Sequence, residues 1–117
     1  MRVKKRDVLA QQLRKNIDIL DNTFEKYELE VLSVGIANVD EDGWFQVVIE
    51  ILKKNSEKLD VSLDIKVNCY DEDGIISSNS KILFAEDFSG YDTLVIHFQE
   101  DNLIYKTNKI RVFVTKH

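Results

Sequence analysis

The sequence contains no proline, one cysteine and only four glycines among its 117 residues. The missing prolines and scarce glycines exclude collagen-like and proline-rich linker classes, and the single cysteine excludes a small domain held together by disulfides. No stretch approaches the roughly 18 apolar residues that a transmembrane helix needs. Hydrophobic residues nevertheless make up 44% of the chain and charged residues 32%, which together with the length predicts one folded domain.

Motifs for catalysis are also missing. The sequence has no glycine-rich phosphate loop, no Cys-x-x-Cys pair and no His-x-x-x-His spacing. Cys69 occupies an inward position of a predicted strand, which favours a buried structural thiol over a nucleophile. His97 alternates with apolar neighbours and is expected to point outward, and the terminal His117 is expected to be disordered. We therefore predict that the protein is not an enzyme.

The acidic excess gives a formal net charge of −5 and argues against nucleic-acid binding, which needs a basic face. Basic residues concentrate at the beginning, where the first 27 residues carry seven of them against four acidic ones. The cluster of Arg2 and residues 4–6 resembles the start of a signal peptide, but no apolar run of about 7 to 15 residues follows it. We expect a cytoplasmic protein without membrane or nucleic-acid partners, or an extracytoplasmic one if an upstream signal precedes this sequence.

The beginning of the chain has the periodicity of a helix. Apolar residues recur there every three or four positions, which places them on one stripe of an amphipathic helix. The stripe consists of Leu9, Leu13, Ile17, Leu20, Phe24 and Tyr27. We predict one helix from about Asp7 to Tyr27, with Asp7 as its N-cap, so that residues 1–27 comprise a loose basic arm of six residues and this helix.

After Tyr27 the period changes from 3.6 to 2, which is typical of β-strands with one buried face. The clearest alternation runs from Leu59 to Cys69, and a second runs from Phe45 to Ile51. Short polar turns separate the strands, which favours antiparallel pairing because a parallel return needs a longer crossover. We predict a mainly β fold, an immunoglobulin-like antiparallel β-sandwich of six or seven strands over residues 28–117. One N-terminal amphipathic α-helix precedes it and forms one folding unit with it.

One hairpin resembles a known family. Tyr70-Asp71-Glu72-Asp73-Gly74 lies between two hydrophobic strands, and this Tyr-Asp-x-x-Gly turn is similar to that of FxLYD-type bacterial immunoglobulin-like domains. The resemblance extends over about residues 29–114. It implies a bacterial, non-catalytic accessory domain of a kind usually attached to the cell surface. The N-terminal helix and the lack of a signal peptide depart from that family.

Acidic residues concentrate in the turns. If successive strands alternate in direction, the turns after the first, third and fifth strands lie at the same pole of the sandwich. That pole would gather Asp40, Asp42, Asp71, Asp73 and Asp101. Because Ca²⁺ takes about six to eight oxygen ligands and would relieve repulsion among them, one hypothesis is a Ca²⁺-dependent binding module, with no other cofactor. The alternative is that Asp-Gly closes each hairpin while the other acids stay in water.

An apolar sheet face supplies the last hypothesis. Alternation places Trp44, Val48 and Leu52 on the outward side of their strand, and we expect Leu32, Val34 and Ile36 of the preceding strand to join them. Such a face is too apolar to stay in water, and the helix stripe is its expected cover within the same chain. The alternative is that the helix pairs with a second copy or docks on another protein. We predict a protein-interaction or accessory domain, with a protein partner or self-association into a homodimer, that uses the helix and this face.

Overall fold

The computed structural model describes residues 4–117, which form three helices and seven strands. In chain order they are α1 (Lys5–Arg14), β1 (Ile17–Ile19), α2 (Asp21–Glu25), β2 (Leu29–Ala37), β3 (Phe45–Lys53), β4 (Leu63–Asp71), β5 (Gly74–Leu83), β6 (Tyr91–Phe98), α3 (Leu103–Lys106) and β7 (Lys109–Lys116). The predicted mainly β fold with one N-terminal helix is confirmed. The seven strands of the described residues lie within the predicted six or seven.

Two sheets form the sandwich. One has the strand order β1-β7-β4-β5 and the other the order β2-β3-β6. Neighbouring strands are antiparallel except β1 and β7, which pair in parallel through Ile17–Ile19 and residues 110–112. Parallel pairing was not predicted. No tight turn joins β1 and β7, which lie about 90 residues apart, so the connection between them does not force them to run in opposite directions.

The core lies between the sheets, where the period-2 pattern places one side of every long strand. Val47, Ile49 and Ile51 of β3 are completely buried, and so are Ile65 and Val67 of β4. The rings of Phe45 and Phe98 stack across β3 and β6 with their centroids 5.3 Å apart. Each such aliphatic side chain contributes about 1.5 to 3 kcal/mol on burial, so these inward faces determine which way every strand is turned.

The predicted helix from Asp7 to Tyr27 is correct only as far as Arg14. Asn16 then accepts a hydrogen bond from the Ile110 amide at 3.1 Å, and the Leu20 amide donates to the Val112 carbonyl at 2.9 Å. The segment between them is β1, because pairing with β7 satisfies backbone groups that would otherwise stay open at a sheet edge. A second, five-residue helix, α2, follows it.

The start of α1 also differs from the prediction. Lys4 occupies the N-cap position and Asp7 lies in the first turn, where its negative charge still suits the positive end of the helix dipole. Lys5 and Arg6 are helical, so the predicted loose arm of six residues is wrong for these two. Residues 1–3 lie outside the described residues.

The two N-terminal helices close one side of the sandwich rather than covering a sheet. α1 packs on α3 and β2, and α2 packs on β2 and β7. Nη2 of Arg14 in α1 donates a hydrogen bond to the Ile36 carbonyl oxygen at 2.6 Å. The Val114 amide donates to the hydroxyl of Thr23 in α2 at 3.2 Å. Both contacts occupy backbone groups at sheet edges, which would otherwise be available to another strand.

Candidate interaction surface

The outer surface of the three-stranded sheet carries a row of small and branched residues across its middle. Gly35 of β2 lies opposite Val48 of β3, and Val48 lies opposite Val95 of β6. All three are half-buried in the chain. We call the surface around this row the outer valine face. It comprises Glu30, Leu32, Ser33, Gly35, Ala37, Gln46, Val48, Glu50, Leu52, Tyr91, Thr93, Val95 and His97.

On one side of the central row, hydrogen bonds converge on a carboxylate. Glu50 accepts hydrogen bonds from the hydroxyls of Ser33 and Tyr91, the latter at 2.6 Å. These hydrogen bonds lower the pKa of Glu50 from its ordinary value, so the group is ionised at neutral pH. Thr93 completes the row, with its hydroxyl 3.0 Å from that of Tyr91. This acceptor row is a line of oxygen atoms with one negative charge.

On the other side of the central row, a chain of side-chain amides ends at an imidazole. The Asn38 amide nitrogen donates to Oε1 of Gln46 at 2.7 Å, which fixes the orientation of the Gln46 amide. The Gln46 nitrogen then faces Nδ1 of His97 at 3.3 Å. With this amide nitrogen as the donor, Nδ1 of His97 is the acceptor, which corresponds to the tautomer with its proton on Nε2. This donor row therefore presents an N–H group.

Gly35 leaves a gap in the face. A Cβ atom built on Gly35 would meet no atom within 4 Å, and its backbone is not in the left-handed region that requires glycine. Glycine weakens a strand, so a glycine that neither its own backbone nor its neighbours require is a costly choice here. The larger apolar groups lie at the Glu50 end, where Leu32 and Tyr91 are each 47% exposed.

The predicted interface residues of β3 lie where alternation placed them. Val48 and Leu52 are half-buried on the outer valine face. Trp44 immediately precedes β3 and lies at the Gln46 end of the face. The Trp44 indole nitrogen donates to the Asp101 carboxylate at 2.8 Å. Trp44 therefore ties the connection after β6 to the sandwich as well as bordering the face.

The prediction for β2 is wrong at two positions because of a β-bulge. Val31 lies opposite Ile51 and Ser33 lies opposite Glu50, so Leu32 is the extra residue between them. The bulge reverses the alternation, which turns Val34 and Ile36 inward and leaves Leu32 outside. No feature of the sequence marks an insertion at this point.

The predicted helix stripe is used inside the molecule. Leu13 and Phe24 are buried in the core, at 3% and 1% exposure, while Leu9 and Ile17 pack against the core and remain half-buried. Leu20 is half-buried beside β7. The expectation that this stripe covers the Trp44 and Val48 side of the sheet is wrong, because the β1–β7 pairing holds it along the side of the sandwich.

Two of the three turns of the predicted acidic pole are joined, and the carboxylates of Asp40 and Asp71 accept hydrogen bonds from backbone amides of their own turns. The Asn102 amide donates to the Asp42 carbonyl at 2.6 Å, which joins the β2–β3 turn to the β6–β7 connection. The Asp40 carboxylate accepts the amides of Asp42 and Trp44, and Asp71 closes the β4–β5 turn in the same way. Within residues 4–117, no group of three or more acidic, His or Cys side chains, Asp73 and Asp101 included, could hold a metal ion. Calcium binding stays a hypothesis.

The three residues considered for catalysis, Cys69, His97 and His117, lie in different parts of the structure. Cys69 is fully buried, and burial, with a smaller contribution from the charge of Glu100, raises the pKa of its thiol to about 12. His97 is exposed on the outer valine face, as predicted. The expected disorder of His117 is wrong, because its amide donates to the Ser62 carbonyl at 3.0 Å and its ring lies 2.8 Å from Asp64.

The outer surface of the four-stranded sheet has a different character. Asp18, half-buried at its edge, pairs with Arg111 at 3.0 Å and lies 3.8 Å from the Lys109 ammonium. Arg111 also lies over the ring of Tyr70, at 5.2 Å from its centroid. Ser78 is exposed on the same surface. This surface combines charged and polar groups with the side chains of Phe113 and of Ile75, which is 60% exposed.

Comparisons with known proteins identify no family. The chain matches no family model and no curated protein. Among solved structures, it is similar to the uncharacterized lipoprotein YajI from Escherichia coli, with 13% identity and a TM-score of 0.41 over 98% of this chain and 80% of that one. This similarity is too low to carry an argument about function. No helix within residues 4–117 has the length and apolar character that crossing a membrane requires.

Proposed function

We propose that the protein is a non-enzymatic protein-interaction or accessory domain and that the outer valine face is its contact surface. The observation that carries the proposal is the composition of this face. Its central row is apolar, Tyr91 and Leu32 are exposed at its Glu50 end, and no Lys or Arg belongs to the face among the described residues. Interface centres have this character, with aromatic residues enriched and charged residues depleted.

The helix was predicted to contact the partner directly, whereas this proposal gives the helices only a supporting role in the fold. Leu13 and Phe24 help to close the core, so α1 and α2 hold the sandwich together beside the face. The helices leave the outer valine face accessible, since Ser33, Thr93 and His97 are all exposed. The contact surface proposed here is therefore the sheet face alone.

The fold type and the family remain part of the proposal. An immunoglobulin-like sandwich is supported by the orders β2-β3-β6 and β7-β4-β5, which match the arrangement of sheets A-B-E and F-C-C′ in that fold. β1 then occupies the edge next to β7, where the last strand of that fold lies. The FxLYD-type resemblance at Tyr70-Asp71-x-x-Gly74 stays a prediction.

Site-specific photocrosslinking tests the proposed surface. A photoreactive phenylalanine analogue replaces Thr93, which is exposed on the outer valine face, in the full chain within its native cell extract. The matched control places the same analogue at Ser78, exposed on the opposite sheet. We expect protein adducts from position 93 that disappear when Gly35→Gln fills the gap in the face.

Equal adduct formation from both positions, or adducts that persist with Gly35→Gln, would overturn the proposal. The thermal melting curve of each variant is recorded alongside, so that a loss of adducts is interpreted only for folded protein. Neither Thr93 nor Ser78 belongs to the core, and substitutions at such exposed sites usually change stability by less than about 0.5 kcal/mol.

A further inference from the structure

The two ends of the outer valine face are complementary to each other. The acceptor row with Glu50 lies two residues from Val48 in one direction along β3, and the donor row with Gln46 lies two residues away in the other. One end presents the Glu50 carboxylate, and the other presents the side-chain amide nitrogen of Gln46 beside the imidazole of His97. A surface with acceptors at one end and donors at the other, equidistant from its centre, can pair with a reversed copy of itself.

Gly35 adds a second and independent observation. It lies in the central row, on the edge strand of the sheet, and nothing in its own chain approaches the space that a side chain would fill. A glycine in a strand often marks a place where another backbone approaches closely. No other backbone of the described residues lies there, so the space above Gly35 is open to a segment of another molecule.

We propose that the partner at the outer valine face is a second copy of this chain, stacked face to face with its strands reversed. The two-fold axis runs along the row of Gly35, Val48 and Val95, perpendicular to the strands. The Glu50 carboxylate of one copy then meets the Gln46 and His97 donors of the other, while the valines of the two copies pack at the centre. This inference rests on the proposed function and names its partner.

Other ways of stacking two copies are less favourable. With a two-fold axis parallel to the strands, each row of one copy would face the same row of the other copy. Glu50 would then lie against Glu50 of the second copy. Like charges brought together at an interface repel each other, and both carboxylates would be ionised. The reversed arrangement avoids this repulsion and satisfies the acceptors.

The size of the face sets the expected strength. Nine residues of β3 span about 30 Å, and three strands are about 14 Å wide, so the face measures roughly 400 Å² in projection. Stable interfaces bury about 800 Å² on each partner, and smaller ones belong to weak complexes. We therefore expect a dissociation constant in the range of about 10 µM to 1 mM.

Sedimentation velocity of the full chain from about 20 µM to 1 mM tests the proposal. Wild type should shift from monomer to dimer over this range. Gly35→Gln should stay monomeric, with its dissociation constant raised at least about tenfold, because the added side chain holds the second sheet away. Ser78→Gln, on the opposite surface, should dimerise like wild type. Melting curves at 5 µM should give Gly35→Gln a stability no lower than that of wild type.

Each result decides the question. A wild type that is monomeric at 1 mM overturns the self-association, as does a Gly35→Gln variant that dimerises like wild type. If wild type is monomeric but crosslinks from position 93 still depend on Gly35, the inference fails and the proposed function stands. If those crosslinks are absent as well, both fail.

Discussion

Gly43→Ala should strongly destabilise the fold, and the structure gives the size of the effect. Gly43 is buried with φ of +82°, and a Cβ there would lie 2.7 Å from Cα of Asn102 and 2.9 Å from its nitrogen. Both are backbone atoms, so they cannot rotate away. The β2–β3 turn and the β6–β7 connection must therefore separate.

Separation would break two hydrogen bonds that now join these loops. The Asn102 amide donates to the Asp42 carbonyl at 2.6 Å and the Ile104 amide donates to the Gly43 carbonyl at 3.0 Å, each worth about 1 kcal/mol. The left-handed backbone costs an alanine about 1 kcal/mol more. The expected loss is about 3 kcal/mol of the free energy of unfolding, or a fall in Tm of about 10 °C.

Urea and thermal unfolding followed by circular dichroism measure this loss. The matched control is Gly35→Ala, which meets no atom within 4 Å and needs no left-handed backbone. It should raise the stability by about 0.5 kcal/mol, since alanine loses less conformational entropy than glycine on folding. The reasoning is refuted if Gly43→Ala melts within about 2 °C of wild type, or if both substitutions destabilise equally.

Four further predictions follow from individual contacts. Thr23→Val should lower the free energy of unfolding by about 1 to 2 kcal/mol in urea titrations, because the Val114 amide loses its acceptor; an unchanged midpoint contradicts this. Cys69 should react with iodoacetamide at pH 8 at least about 100-fold more slowly in the native protein than in urea, since its pKa is about 12; equal rates contradict its burial. The hydrogen bond from Lys53 lowers the pKa of Glu28 from its ordinary value of 4.5. The ion pair therefore stabilises the fold above pH 4.5, and this stabilisation is lost as the pH falls through the lowered pKa. Glu28→Gln should therefore unfold with less pH dependence below about pH 5, and an acid transition identical to wild type would exclude the contribution. Millimolar Ca²⁺ should leave Tm unchanged because the turn carboxylates cap backbone amides, whereas a rise of several degrees that chelator reverses would favour the calcium hypothesis.

The sandwich strands could be predicted because each buries one face. Residues such as Val47, Ile49 and Ile51 repeat with period 2, and the cost of exposing them fixes the orientation of the strand. The same alternation correctly placed Val48 and Leu52 outside and Cys69 inside. Strong burial of one face is therefore a signal that a short stretch of sequence carries by itself.

The N-terminal segment could not be predicted in the same way. Ile17, Leu20 and Phe24 continue the spacing of α1, so the local pattern does not distinguish a longer helix from the observed turn, strand and short helix. What decides is β7, about 90 residues away, whose edge pairs with Ile17–Ile19. Tertiary contacts of this kind override local periodicity in short elements.

The outer valine face was only partly predictable. Val48 and Leu52 follow from alternation, but the bulge at Leu32 and the gap at Gly35 depend on the register between β2 and β3. The complementary rows could not be foreseen either, because Glu50 and His97 are 47 positions apart and meet on one face only through β3–β6 pairing. Their relation requires the assembled sheet.

The most direct test of the outer valine face is a dilution series of amide ¹H–¹⁵N spectra from 1 mM to 20 µM. The account predicts concentration-dependent shifts at Gly35, Val48 and Val95, with Asn68 and Ser78 on the opposite sheet unchanged. Spectra that are identical at all concentrations, or shifts that concentrate at Asn68 and Ser78, would contradict it.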